Sequence, residues 1–210
     1  MDQDTTELYQ VNDDLIFILD TGLKIGWDNI KPQSLNRIIY LAKVLFSFVN
    51  EDDSNIMDYY HFTAQNMTGP MSSIINNSIA YLESQELILT TESGVKLNTS
   101  LDSRINNILD TTSLPVKLHK QSWLKTVMLI LGKFGENRVF SFTINDPLYI
   151  ENIESNNPKE INFENSENKT LTILNSFKDA FEESLEDTSN ISKQEYLELY
   201  FDYIFSQIIK

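Results

Sequence analysis

The chain carries two histidines, His61 and His119, and no cysteine. Chemistry that needs a thiolate, as nucleophile or as metal ligand, is therefore excluded, as are disulfides. Asp58 and His61 stand three residues apart, a spacing that on a helix places two metal ligands on one face. No third ligand accompanies them, and the plainer reading is a surface or core histidine. Glu167-Asn168-Lys169 follows Asp146 at the spacing by which metal-dependent nucleases bring carboxylates and a lysine onto one Mg²⁺ and one phosphate. Such sites need the Glu-x-Lys on a hydrophobic central strand, and here it lies in a polar stretch. Gly132-Lys133-Phe134-Gly135 has the form of the G-x-x-G loop that clamps a nucleic-acid backbone. A glycine closing a helix is the commoner explanation. Six glycines assemble no phosphate cradle, and no G-x-S-x-G elbow is present. The acidic clusters Glu51–Asp53 and Glu182, Glu183, Glu186 and Asp187 read as solvated faces. No catalytic residue, metal or cofactor is expected from this set.

The formal net charge of −15 bears on partners. Nucleic-acid binding is driven by counterion release and needs Lys and Arg gathered in one place. One positive band exists: Arg104, Lys117, Lys120, Lys125, Lys133 and Arg138 stand against only Asp110 and Glu136. Residues 151–210 instead hold thirteen acidic groups against five basic ones. The band reads either as a solvated helix face or as a contact surface for an acidic partner or DNA backbone. Lys117, Lys120 and Lys125 are the candidate backbone contacts. No apolar run is long enough to span a bilayer, and the polar start Met1-Asp2-Gln3-Asp4 is unlike a targeting peptide. A cytoplasmic location with no membrane contact is the expectation.

The elements that would position these groups are mostly helical. Residues 1–12 read as a frayed leader, and Asp13-Asp14 as the acidic start of a buried helix. Leu35, Ile38, Ile39, Ala42, Leu45, Phe46 and Val49 recur at i, i+3, i+4, i+7, the clearest amphipathic pattern present, with Ser34 as its cap. A shorter helix is expected over 55–62, then a turn at Thr68-Gly69-Pro70 with Pro70 opening the next helix. The β-prone runs 87–91 and 95–98 flank a glycine turn and predict a hairpin. Helices follow near 100–109 and 121–131. The stretch 151–170 reads as an acidic linker, and 171–210 as a C-terminal helical segment opened at its second helix by Ser192-x-x-Glu195, a capping box. The predicted fold is thus mainly α with a small β-hairpin: a winged-helix-like core over 13–150, the linker, and C-terminal helices.

Helix, turn, helix, hairpin is the order of a winged helix-turn-helix, whose second helix reads the major groove. Between Lys43 and Lys96 there is no Lys or Arg, and the would-be reading helix presents Ser73, Asn76, Asn77 and Glu83 outward. Nothing there would hold it to phosphate. The last helix is apolar nearly all round. Tyr196, Tyr200, Phe201, Tyr203 and Phe205 are candidate partner-binding residues there, and packing on the chain's own core is the open alternative.

The stretches Leu35–Leu45, Thr68–Ser72, Ile79–Ile88 and Leu131–Phe140, with Asp146-Pro147, resemble the small middle component of bacterial ABC-three-component systems, the Lamassu-type anti-phage defence operons. The resemblance covers about residues 15–150. It implies a non-catalytic accessory subunit that binds and regulates a coiled-coil ATPase of the structural-maintenance-of-chromosomes (SMC) kind beside an effector subunit, with weak or indirect DNA contact. The rival expectation is a winged-helix transcriptional regulator or antitoxin.

Overall fold

The computed structural model describes residues 3–50, 54–66, 68–110, 115–154, 160–164, 168–185 and 187–207. Helix α1 spans Gln3–Lys24. It begins well before Asp13, because Val11, Leu15 and Ile18 follow one another down a fully buried face. Residues 3–12 of the expected frayed leader therefore belong to a core helix. Asn12, buried beside Val11, accepts a hydrogen bond from the Ser78 hydroxyl at 2.5 Å. The central helix α2 (Pro32–Val49) is buried on several sides. Pro32, whose missing N–H costs nothing in the first turn, opens it; Ser34 lies inside the helix rather than at its cap.

Residues 55–62 do not form the expected helix. They turn, and drop Met57, Tyr60 and Phe62 into the core. A small hairpin follows, β1 (Thr63–Gln65) against β2 (Gly69–Met71), with Thr63 opposite Met71. Pro70 thus lies in a strand, and the next helix, α3 (Ser73–Ser84), starts after Ser72. Two distant side chains fix this departure. Asn36 Oδ1 accepts the Ser72 N–H at 2.8 Å, and Arg37 Nη2 donates to the Thr68 carbonyl at 2.7 Å. The predicted hairpin forms as β3 (Ile88–Thr91) and β4 (Gly94–Leu97). Ile30, just ahead of α2, pairs antiparallel with Val95 through reciprocal backbone bonds of 3.0 and 2.9 Å. Gly94 permits this approach: its φ is +137°, and a Cβ there would stand 2.8 Å from the Ile30 carbonyl carbon.

A 3₁₀ turn capped by Asn98 leads into α4 (Asp102–Leu109). Helix α5 (Pro115–Ile144) packs along α2 and is broken at Gly135, whose φ of 77° and ψ of 168° suit glycine alone. Asp146 then opens α6 (Pro147–Glu154). The described part of the expected linker is not a free tether. Ile161 is buried and its N–H donates to the Phe62 carbonyl at 2.8 Å, and Asn168 donates to the Val44 carbonyl at 3.3 Å while capping α7 (Lys169–Glu183). Helix α8 (Lys193–Gln207) returns along α7, and its capping box closes as predicted: Ser192 N–H donates to Glu195 at 2.7 Å, and Glu195 N–H to the Ser192 hydroxyl at 3.2 Å. The fold is mainly α with two small antiparallel hairpins. Among the described residues no helix is long and apolar enough to cross a membrane.

Candidate functional site

The positive band divides: Lys117 and Lys120 fold inward onto α1, while Arg104, Lys125, Lys133 and Arg138 stay exposed. Asp14, buried in the middle of α1, accepts from Lys120 Nζ at 3.0 Å, from the Tyr60 hydroxyl at 2.8 Å, and from the Tyr59 hydroxyl. One turn away, Lys117 pairs with Asp13 at 2.8 Å. Lys120 is itself buried and donates to the Tyr59 hydroxyl at 2.9 Å. Burial holds the Asp14 carboxyl above its ordinary range, against the pull of Lys120 and of the two phenols. Lys133 reaches Asp202 of α8 at 2.6 Å. Of the three lysines expected to touch DNA backbone, only Lys125 stands exposed; Lys117 and Lys120 are corrected to structural ion pairs. Their partners, the adjacent Asp13 and Asp14, lie inside α1 and not at its start.

Helix α3 turns Ile75, Ser78, Ile79 and Leu82 inward and exposes Ser73, Asn76, Asn77 and Glu83. Asn76 accepts a hydrogen bond from Asn36 at 3.3 Å, so even this amide is partly engaged within the fold.

Asp58 and His61 are not on a helix, yet they share a cleft of about 580 Å³ with Lys43, Glu160 and Phe163. His61 Nδ1 contacts the Glu160 carboxylate at the cleft mouth, where both side chains are more than half exposed. Lys43, the one buried cation of the cleft, donates to the carbonyls of Asp58 at 3.0 Å and Tyr60 at 2.8 Å, and stands over the Phe163 ring at 4.6 Å. Burial lowers its pKa, with Asp58 and Glu160 opposing. Its protons therefore point at backbone and ring rather than at a ligand. Among the described residues no group of three or more His, Asp or Glu is arranged to hold a metal ion.

The remaining motifs resolve into packing. Gly132 lies within α5, where a Cβ would meet the Ile25 side chain at 2.6 Å, so this glycine admits a close contact with the end of α1. Asp146 is buried and accepts from the Tyr40 hydroxyl at 2.6 Å, the Tyr149 N–H at 3.2 Å, and the Thr170 hydroxyl. It is a helix cap tying α2, α6 and α7 together. Glu167, like the acidic residues 51–53 and Glu186, lies outside the described residues.

The aromatic face of α8 divides. Tyr196, Tyr200, Phe201 and Phe205 are buried, with Phe201 4.8 Å from Phe142 and Phe205 4.4 Å from Phe134, ring centre to ring centre. As partner-binding residues these four are corrected to core, since α5 and α7 cover them. Burial pushes the Tyr200 phenol up to about 12. Tyr203 alone of the five is half exposed, and it borders an open groove between α7 and α8. Ile173, Phe177 and Phe181 on α7 continue that surface and were missed in sequence reading. Their i, i+4, i+8 spacing beside the buried Leu171 and Leu174 was the available signal. No protein-family model, curated protein or solved structure matches the chain.

Proposed function

We propose that the chain is a non-catalytic subunit of a multiprotein defence complex, where it binds and regulates a coiled-coil ATPase of the SMC kind that works with a separate effector. One observation carries the protein-binding half of this reading: two of the three lysines that were candidates to touch phosphate are paired inside the fold. Lys117 and Lys120 answer Asp13 and Asp14, and α3 exposes amides, hydroxyls, Ala80 and Glu83 but no cation. The order α1, α2, the β1–β2 hairpin, α3, β3, β4, with Ile30 bridged to β4, supports a winged-helix-like core put to protein contact. The identity of the partner rests on the resemblance over residues 15–150.

The test is co-purification. A tagged chain expressed with its neighbouring genes should retain a large ATPase through a salt wash, and omitting the chain should change the rate of ATP hydrolysis. The reading fails if the chain elutes alone from such an operon, or if the ATPase works identically without it.

A further inference from the structure

We propose that the outer face of the α7–α8 hairpin is a docking groove for a basic amphipathic helix of a partner protein. The proposal rests on reading the chain as a protein-binding subunit and names the surface and the partner chemistry. The two helices run antiparallel, with Phe177 of α7 against Tyr200 and Tyr203 of α8, and Phe181 against Tyr196. Their inner faces are covered by α2 and α5. On the outer side an open groove of about 720 Å³ runs between them, lined by Phe177, Ala180, Phe181, Leu199, Asp202 and Tyr203. Ile173, 42% exposed, extends the apolar strip one turn toward the start of α7, and Tyr203 is 50% exposed. A helix of 15 residues is roughly 22 Å long, enough to seat about four turns of a third helix. A helix is the natural occupant, because two antiparallel helices leave a channel that a third fills by ridge-into-groove packing.

Charge selects the partner. Residues 169–207 hold Lys169, Lys178 and Lys193 against eight acidic residues. Glu183 follows Ala180 by one turn on α7, Glu195 precedes Leu199 by one turn on α8, and both are exposed. Lys178 is turned to Glu182 at 3.1 Å and Lys133 of α5 to Asp202 at 2.6 Å, and the hairpin remains acidic in balance. A second copy of the chain would bring an equally acidic hairpin to this surface and be repelled. A helix with an apolar stripe flanked by Lys or Arg meets both features.

The experiment uses the full chain and three labelled peptides of about 18 residues: a Leu/Lys amphipathic helix, its Leu/Glu twin, and a scrambled Leu/Lys sequence of the same charge without a stripe. Fluorescence anisotropy should show the Leu/Lys helix binding, with the twin and the scramble each weaker by about tenfold or more. The double variant Ile173→Ser, Tyr203→Ser should lose that binding, whereas Leu23→Ser, at a similarly exposed site on α1, should keep it. All three changes lie at the surface, and an unchanged circular-dichroism melt verifies the fold. Equal binding of the scramble would mean bulk charge alone and overturn the groove. So would self-association of the chain that Tyr203→Ser abolishes, since a second copy would then be the occupant. If the ATPase co-purifies equally with the double variant, the groove falls and the subunit reading stands. If the peptide binds through the groove but no ATPase co-purifies, the reverse holds.

Discussion

Asp14 and Lys120 show how a residue's role can invert between sequence and fold. A lysine in a basic band reads as a phosphate contact, but here it neutralises a carboxylate in the middle of α1. Removing one partner of a buried pair strands the other charge and costs about 3–5 kcal/mol. Lys120→Met is therefore expected to lower the urea midpoint steeply, while Lys125→Glu, at an exposed position, changes stability by about 0.5 kcal/mol or less. Reversing Lys117, Lys120 and Lys125 together would report on folding before it reported on DNA. Asp146 offers a pH signature. Burial holds its carboxyl above the ordinary value of 3.8, and the hydrogen bonds from Thr170, Tyr40 and the backbone only partly oppose this. An acid whose folded pKa is raised binds its proton more tightly in the native state. Its contribution is fully present below the unfolded pKa and is lost as pH rises through the folded one. Urea unfolding from pH 7 down to pH 4 should thus show wild type gaining on Asp146→Asn as pH falls. A difference that is flat or runs the other way would contradict the raised carboxyl.

Among the elements, those with strong local signals were legible in the sequence. The apolar periodicity of α2, the capping box of α8 and the β3–β4 hairpin all formed near their expected bounds. The failures share a cause: a partner far away in the chain. The β1–β2 hairpin replaces an expected turn into a helix because Asn36 and Arg37 hold Ser72 and Thr68. Residues 3–12 are helical because Val11 and Asn12 meet the core and Ser78. The acidic stretch near 160 reads as linker by composition, yet Ile161 and Phe163 anchor it beneath Phe62 and Tyr40. No local pattern encodes these contacts. The candidate site was legible only in outline, since periodicity marked α8 as apolar all round but could not say which side α5 would cover. The structure now separates the two uses. Phe201→Ala, in the core, should cost about 3–5 kcal/mol and drop the melting temperature, while Tyr203→Ser should leave the melt nearly unchanged. Gly94→Ala should also melt early, since its Cβ would collide with the Ile30 backbone and part Ile30 from Val95.

At the scale of the whole molecule, a net charge of −15 and the pairing of Lys117 and Lys120 with α1 leave DNA little to bind, while the outer α7–α8 groove is open and largely apolar on a hairpin of net acidic charge. A surface of that kind suits a basic protein partner better than a polyanion. The claim that this mainly α fold lacks a DNA-reading surface is tested most directly by titrating the isolated chain against duplex DNA at physiological salt. The expected result is non-specific binding only, with a dissociation constant of roughly 10⁻⁴ M or weaker, indifferent to sequence. Nanomolar, sequence-selective binding that disappears in Asn76→Ala, Asn77→Ala would contradict it, and would make α3 a reading helix after all.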